Sequence, residues 1–221
     1  MINIAIDGPS GAGKSTLARA IAKKLGIHYL DTGSMYRAVA YAAIHDGIDI
    51  RDAQQVQHLI DRIDLRTEYE GDEQVNLLEG KNIMPYLRTP EISKAASDIS
   101  AHPCVREKLV AMQREVARQY DVVLDGRDIG TYVLPNAEYK FFVTADPKER
   151  ARRRHTEMQD QGNPADLEKV LAEMMQRDQN DSTRSLAPLK QADDAVRIDT
   201  THMDIDEVLA VVLSGMRQER V

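Results

Sequence analysis

Residues 8–15 read Gly8-Pro9-Ser10-Gly11-Ala12-Gly13-Lys14-Ser15, and this stretch decides the fold. It fits G-x-x-x-x-G-K-[ST] without a mismatch, the pattern of a loop that cradles phosphates. Ahead of it, Ile2, Ile4 and Ile6 alternate with smaller residues and predict a short buried strand. Behind it, Lys14 to Leu25 predicts a helix that stops at Gly26, with Leu17, Ala20, Ile21 and Leu25 on its apolar face. Gly8, Gly11 and Gly13 permit positive φ, so that consecutive backbone N–H groups converge on a polyphosphate. Lys14 then reaches the β/γ-phosphates, Ser15 offers a hydroxyl to Mg²⁺, and the helix dipole favours the anion. Pro9, Ser10, Ala12 and Thr16 complete the expected nucleotide-binding loop. A dinucleotide-binding loop fits worse, because Thr16 stands where G-x-G-x-x-G needs its third glycine.

The chain has 221 residues, 42% of them hydrophobic, enough for one α/β core carrying insertions. Its formal net charge of −7 argues against a general nucleic-acid or membrane-surface binder, so an anionic substrate must meet local cationic clusters. The single cysteine, Cys104, suits a reducing compartment and reads as a small buried hydrophobe. With no secretory pattern at the N-terminus and no long apolar run, the expectation is a soluble cytoplasmic protein.

Further along, Ile27 to Leu30 predicts a second strand ending at Asp31-Thr32-Gly33-Ser34, small polar residues at the ligand-binding edge of a parallel sheet. A helix from Met35 to about His45 would carry Arg37 in its first turn, where the dipole disfavours a cation; solvent or a phosphate partner would satisfy it. Strands at Leu65 to Tyr69 and Val75 to Leu78, split by Gly71-Asp72, suggest a small inserted subdomain. Thr89-Pro90 and His102-Pro103 open two helices, the second with Val105, Leu109, Met112 and Val116 at helical spacing. Strands at Val122 to Leu124 and Lys140 to Val143 follow, and Asp146-Pro147-Lys148-Glu149 combines a cap, a first-turn proline and a capping-box glutamate. That helix packs Arg150, Arg152, Arg153 and Arg154 together with only Glu149 and Glu157 nearby, so the cluster is under-neutralised. It reads either as a solvated face or as a lid closing over a triphosphate, where an arginine can contribute about 10³ to 10⁵ in rate. Another helix carries Arg177 and Asp181 on one face; a strand at Val196 to Ile198 and a helix capped by Asp204 and Glu207 close the chain. Strands alternating with helices behind a phosphate loop predict an α/β fold with a mostly parallel sheet.

A phosphate loop serves switch proteins, ATPases and small-molecule kinases alike, although the absence of N-K-x-D counts against a GTPase switch. Six motifs narrow the choice: GPSGAGKST at 8–16, DTGSMYR at 31–37, KAAS at 94–97, VRE at 105–107, DGRDIGT at 125–131 and RDQNDSTR at 177–184. In this order, across nearly the whole chain, they resemble the bacterial cytidylate kinases.

The resemblance implies a P-loop nucleoside monophosphate kinase fold, a central parallel sheet flanked by helices with a small strand-containing insertion and a helical lid. The implied division is a core at 1–58, 99–146 and 190–221, a monophosphate-binding insertion at 59–98 and a lid at 147–189. It also implies phosphoryl transfer from ATP, with Mg²⁺, to CMP or dCMP, by a monomer. Arg37 and Arg127 match positions that hold the acceptor phosphate, suited to the guanidinium's planar fork. Arg177 and Asp181 match positions near sugar and phosphate; Ser97, Arg106, Asp128 and Arg184 match the group around the cytosine ring, and Thr32 lies near the substrate. Cytosine offers an amino donor and ring acceptors, so a carboxylate facing the amine and an arginine facing the acceptors complement it. Lys14, Arg127, Asp128 and the lid arginine Arg153 are the implied catalytic group; Asp125 and Asp128 are candidates near the acceptor rather than an assigned base. Ser15 and Thr32 stand where some relatives carry glycine and serine. A UMP or AMP kinase, or an ATP-driven regulatory protein, are the rival readings.

Overall fold

The structure is a computed structural model that describes residues 1–160 and 162–218. Residue 161, inside the expected lid range, and 219–221, at the end of the expected core range, lie outside the described residues.

The first strand, β1 (Asn3–Asp7), and the helix α1 (Lys14–Leu25) bracket the glycine-rich loop as their sequence predicts, and Gly26 ends α1 in the left-handed conformation at φ 67°. After β2 (His28–Asp31), the helix α2 (Thr32–His45) begins three residues earlier than expected. Asp31 is its N-cap, accepting from the Ser34 N–H at 2.9 Å, a bond that typically contributes about 1 kcal/mol to helix stability. Arg37 therefore sits in the second turn, beyond the strongest part of the dipole, and its partner is Asp31 rather than solvent.

The helix α3 (Ala53–Arg62) has no counterpart in the sequence reading, although Asp52 caps it through the N–H groups of Gln54 and Gln55. A three-stranded antiparallel sheet follows, β3 (Leu65–Glu70), β4 (Glu73–Leu78) and the two-residue β5 (Lys81–Asn82), in that order. Then come α4 (Pro90–Ile99) and α5 (Pro103–Gln119), each with proline in its first turn. Val105, Leu109 and Val116 bury the expected face of α5.

The strand β6 (Val122–Gly126) is buried throughout and leads into a single π-helical turn at Ile129–Val133. Next are β7 (Tyr139–Thr144), the helices α6 (Pro147–Asp160) and α7 (Leu167–Thr183), β8 (Val196–Asp199) and α8 (Ile205–Gln218). Two capping boxes were expected and one forms. Asp204 N–H donates to Glu207 and Glu207 N–H to Asp204, both at 2.9 Å. At α6, Asp146 caps Lys148 and Glu149, but its own N–H donates to Thr201, leaving Glu149 to pair with Arg152 and Arg153.

The central sheet has the order β2-β6-β1-β7-β8, with β7 parallel to both β1 and β8, and helices flank it. The chain divides into two compact units. The first, residues 27–122, packs α2 against α4 and α5, carries the small antiparallel sheet, and buries Met35, Leu59, Leu87, Ile99 and Leu109. The second, residues 2–26 with those from 123 onward, is built on β1, β7 and β8, with Ile4, Ile6, Leu17, Ile21 and Leu124 inside. There α6 and α7 pack through Ala151, Val170 and Met174. No helix among the described residues is long and apolar enough to cross a membrane.

Candidate active site

In the second unit, β1 delivers the chain to the loop, and close packing explains its glycines. Gly8 has φ 147°, and a Cβ there would collide with the Val143 carbonyl oxygen of β7. At Gly11, with φ 73°, a Cβ would come within 2.7 Å of Met174 Cε and 3.1 Å of the Arg150 carbonyl. Lys14 folds back so that its Nζ donates to Pro9 O at 2.7 Å, and it is buried. Burial above all, then the Arg127 guanidinium, pushes its pKa down to about 7, against the pull of Asp125 and Asp7. Such a lysine gains most from a polyphosphate beside it, which would restore the charged form.

Ser15 Oγ donates to Asp125 Oδ2 at 2.8 Å. A hydroxyl and a carboxylate oxygen side by side are hard oxygen donors, which fits Mg²⁺ held by few protein ligands together with substrate phosphates.

The residues after β6 are fixed by a carboxylate that the sequence reading did not single out. Asp7, the last residue of β1, accepts from the backbone N–H groups of Ile129 and Gly130, both at 2.7 Å. Burial pushes its pKa up to about 7 against those two donors. An aspartate closing the apolar run IAID was the available signal. Asp128, immediately ahead of these amides, is buried, and its carbonyl accepts from Tyr132 and Val133 to start the π turn. Arg127 Nε donates to Asp181 Oδ2 at 2.9 Å, and Arg184 stands 3.7 Å from the other Asp181 oxygen. Burial alone would raise the Asp181 pKa, but Arg127, Arg177 and Arg184 hold it below the usual carboxylate range. Thus Arg127, Asp181, Arg177 and Arg184 form one charged cluster in this unit.

The arginine-rich helix divides by burial. Arg152 and Arg154 make exposed pairs with Glu149 and Glu157. Arg150 is buried and serves neither as solvated face nor as a free lid cation. Its Nη1 donates to Asp178 Oδ2 at 2.6 Å and to Ser10 O at 2.9 Å, while Ser10 N–H donates to the other Asp178 oxygen at 3.2 Å. Counting only Glu149 and Glu157 as neutralising groups missed Asp178, which lies 28 residues away on α7. Arg153 donates to the Thr200 carbonyl at 2.6 Å and hydroxyl at 3.1 Å, and that hydroxyl is 3.2 Å from Ala12 O in the loop.

In the first unit, Arg37 Nη2 donates to Asp31 Oδ2 at 2.8 Å, while its buried Nε has no hydrogen-bond partner among the described residues. Thr32 is buried in the first turn of α2, Ser97 is half-buried on α4, and Arg106 is buried with its guanidinium 5.6 Å from the centre of the Tyr36 ring. The sequence-derived residues are thus carried by two units, each with its own polar cluster.

An α/β fold whose first parallel strand runs into this loop, with a serine hydroxyl against a carboxylate behind it, defines a P-loop phosphate-binding protein. A family model described as Cytidylate kinase matches residues 4–218, and the chain belongs to the cytidylate kinase family. It is 47% identical to the cytidylate kinase of Shouchella clausii over 98% of this chain and 96% of that one. It is equally 47% identical to that of Caldicellulosiruptor saccharolyticus, over 96% and 94%. Among solved structures, shikimate kinase from Bacteroides thetaiotaomicron aligns over 100% of this chain and 99% of its own, at 16% identity and a TM-score of 0.48.

Proposed function

We propose that the chain transfers the γ-phosphoryl group of ATP to CMP or dCMP, giving ADP and CDP or dCDP. The observation that carries this reading is the family match across residues 4–218. The donor triphosphate lies along residues 8–16, where the loop amides and Lys14 bind it. Ser15, with Asp125 beside it, holds Mg²⁺, which when bound neutralises and orients the terminal phosphates.

Arg37 and Arg127 bind the acceptor phosphate through their planar guanidinium forks. Arg177 and Asp181 hold sugar and phosphate. Ser97, Arg106, Asp128 and Arg184 read the cytosine, with Thr32 lining the acceptor. Uracil carries O4 where cytosine carries its amine, and would leave Asp128 facing an acceptor with no donor between them. Arg153 stabilises the transferring group from the lid. Catalysis is positioning and electrostatic stabilisation without a covalent intermediate. The division into core (1–58, 99–146, 190–221), insertion (59–98) and lid (147–189), a monomeric state and a cytoplasmic location belong to the same reading.

Phosphorus-31 NMR of the protein with ATP, Mg²⁺ and CMP tests it. New resonances of ADP and CDP in equal amounts are expected; release of inorganic phosphate without CDP would contradict the transfer.

A further inference from the structure

The loop and its arginines leave unused a buried amide network in the first unit. In β4, Gln74 and Asn76 lie two residues apart and so project to the same face of the small sheet. Asn76 is fully buried, at 0% exposure, where an apolar side chain would pack without polar atoms to satisfy. Both amides converge on the first turn of α2. Gln74 Oε1 accepts from the Asp31 N–H at 2.7 Å, and its Nε2 donates to Ser34 Oγ at 2.9 Å. Asn76 Nδ2 donates to the same Ser34 oxygen at 2.9 Å, while its Oδ1 accepts from Thr67 Oγ1 of β3 at 2.9 Å. Ser34 has one hydroxyl proton, which it gives to Asp31 O at 2.7 Å, so its oxygen is free to accept from both amides. Every donor in this arrangement meets an acceptor, which fixes both amide orientations.

The residue held at the centre is Asp31. Its N–H is bound by Gln74, its carbonyl by Ser34, one carboxylate oxygen by the Ser34 N–H, and the other by Arg37. The rotamer of Arg37 therefore depends on a turn whose shape is set by side chains of the inserted sheet. We infer that Gln74 and Asn76 are positioning residues for Arg37, through which the small sheet sets the affinity for the acceptor's phosphate. This rests on the assignment of Arg37 to that phosphate.

The test is a kinetic double-mutant cycle on the full chain, with KM for CMP and for ATP measured separately. Gln74→Met and Asn76→Leu are each expected to raise KM for CMP by about tenfold, as residues sharing one hydrogen-bond network do, with KM for ATP changed by less than about twofold. Combined with Arg37→Ala, Gln74→Met should add little further loss, because the group it positions is gone. An unchanged KM for CMP in Gln74→Met, or the same loss repeated in the Arg37→Ala background, overturns the inference. Arg37→Ala with an unaltered KM for CMP would instead remove the assignment of Arg37 beneath it. Gln74 is only half-buried, so that variant keeps the test available should Asn76→Leu fail to fold.

Discussion

The Ser15 hydroxyl donates to the Asp125 carboxylate at 2.8 Å, joining the start of α1 to the end of β6. Under the proposed function these two residues would hold Mg²⁺, which would neutralise charge on the terminal phosphates. Asp125→Asn keeps the shape and a hydrogen-bonding group but removes the charge. The Mg²⁺ concentration giving half-maximal turnover should rise severalfold or more, with thermal stability little changed. A variant with the wild-type Mg²⁺ dependence would place Asp125 outside the cation's surroundings.

Lys14 is a buried cation whose pKa is pushed down to about 7, chiefly by desolvation. Removing it relieves that cost, so Lys14→Ala should melt no lower than the wild type while losing turnover by at least about 10², the loss typical when one electrostatic partner of the transition state is deleted. Near-normal turnover would take Lys14 out of its role.

For Asp7 the pKa stands at about 7 against an ordinary 3.8, raised mainly by burial. The folded state binds this proton more tightly than the unfolded chain does. Its contribution to stability is fully present below about pH 4 and is lost as pH rises toward 7. The stability of the wild type relative to Asp7→Asn, from urea unfolding, should therefore fall across that window. A difference independent of pH would mean that Asp7 ionises in the fold as it does in the unfolded chain.

The Arg150–Asp178 pair ties α6 and α7 to the loop residue Ser10, and Arg150 is almost wholly buried. Asp178→Ala leaves that guanidinium without its counter-charge and should cost about 3 kcal/mol or more in urea unfolding, the usual penalty for breaking a buried pair. Exchanging both residues together, Arg150→Met with Asp178→Leu, should cost less than Asp178→Ala alone. The opposite order would show that the pair does not carry the contact.

The sequence made the phosphate loop, the alternation of strands and helices and the small antiparallel insertion legible, because each has a local signature. Gly26 ended α1 and Asp204 with Glu207 opened α8 as the residue chemistry requires. What was not legible depended on distant partners. Asp146 gave its N–H to Thr201 rather than Glu149, and Arg150 found its carboxylate on α7. Within the site, the loop residues and charged motifs could be named from spacing and family resemblance. Asp7, Gln74 and Asn76 could not, since a carboxylate at a strand end and amides in a hairpin acquire meaning only from the backbone groups that face them. The π turn after Asp128 and the early start of α2 at Thr32 likewise follow from such contacts, through Asp7 and Asp31.

The most direct measurement of the central claim is kcat/KM for a panel of acceptors, CMP, dCMP, UMP, AMP and GMP, with ATP and Mg²⁺, repeated on Asp128→Ala. The account predicts that CMP and dCMP lead the panel, that the purines fall far behind, and that the CMP-to-UMP ratio drops in the variant. A flat panel, or a ratio untouched by removing Asp128, would contradict it.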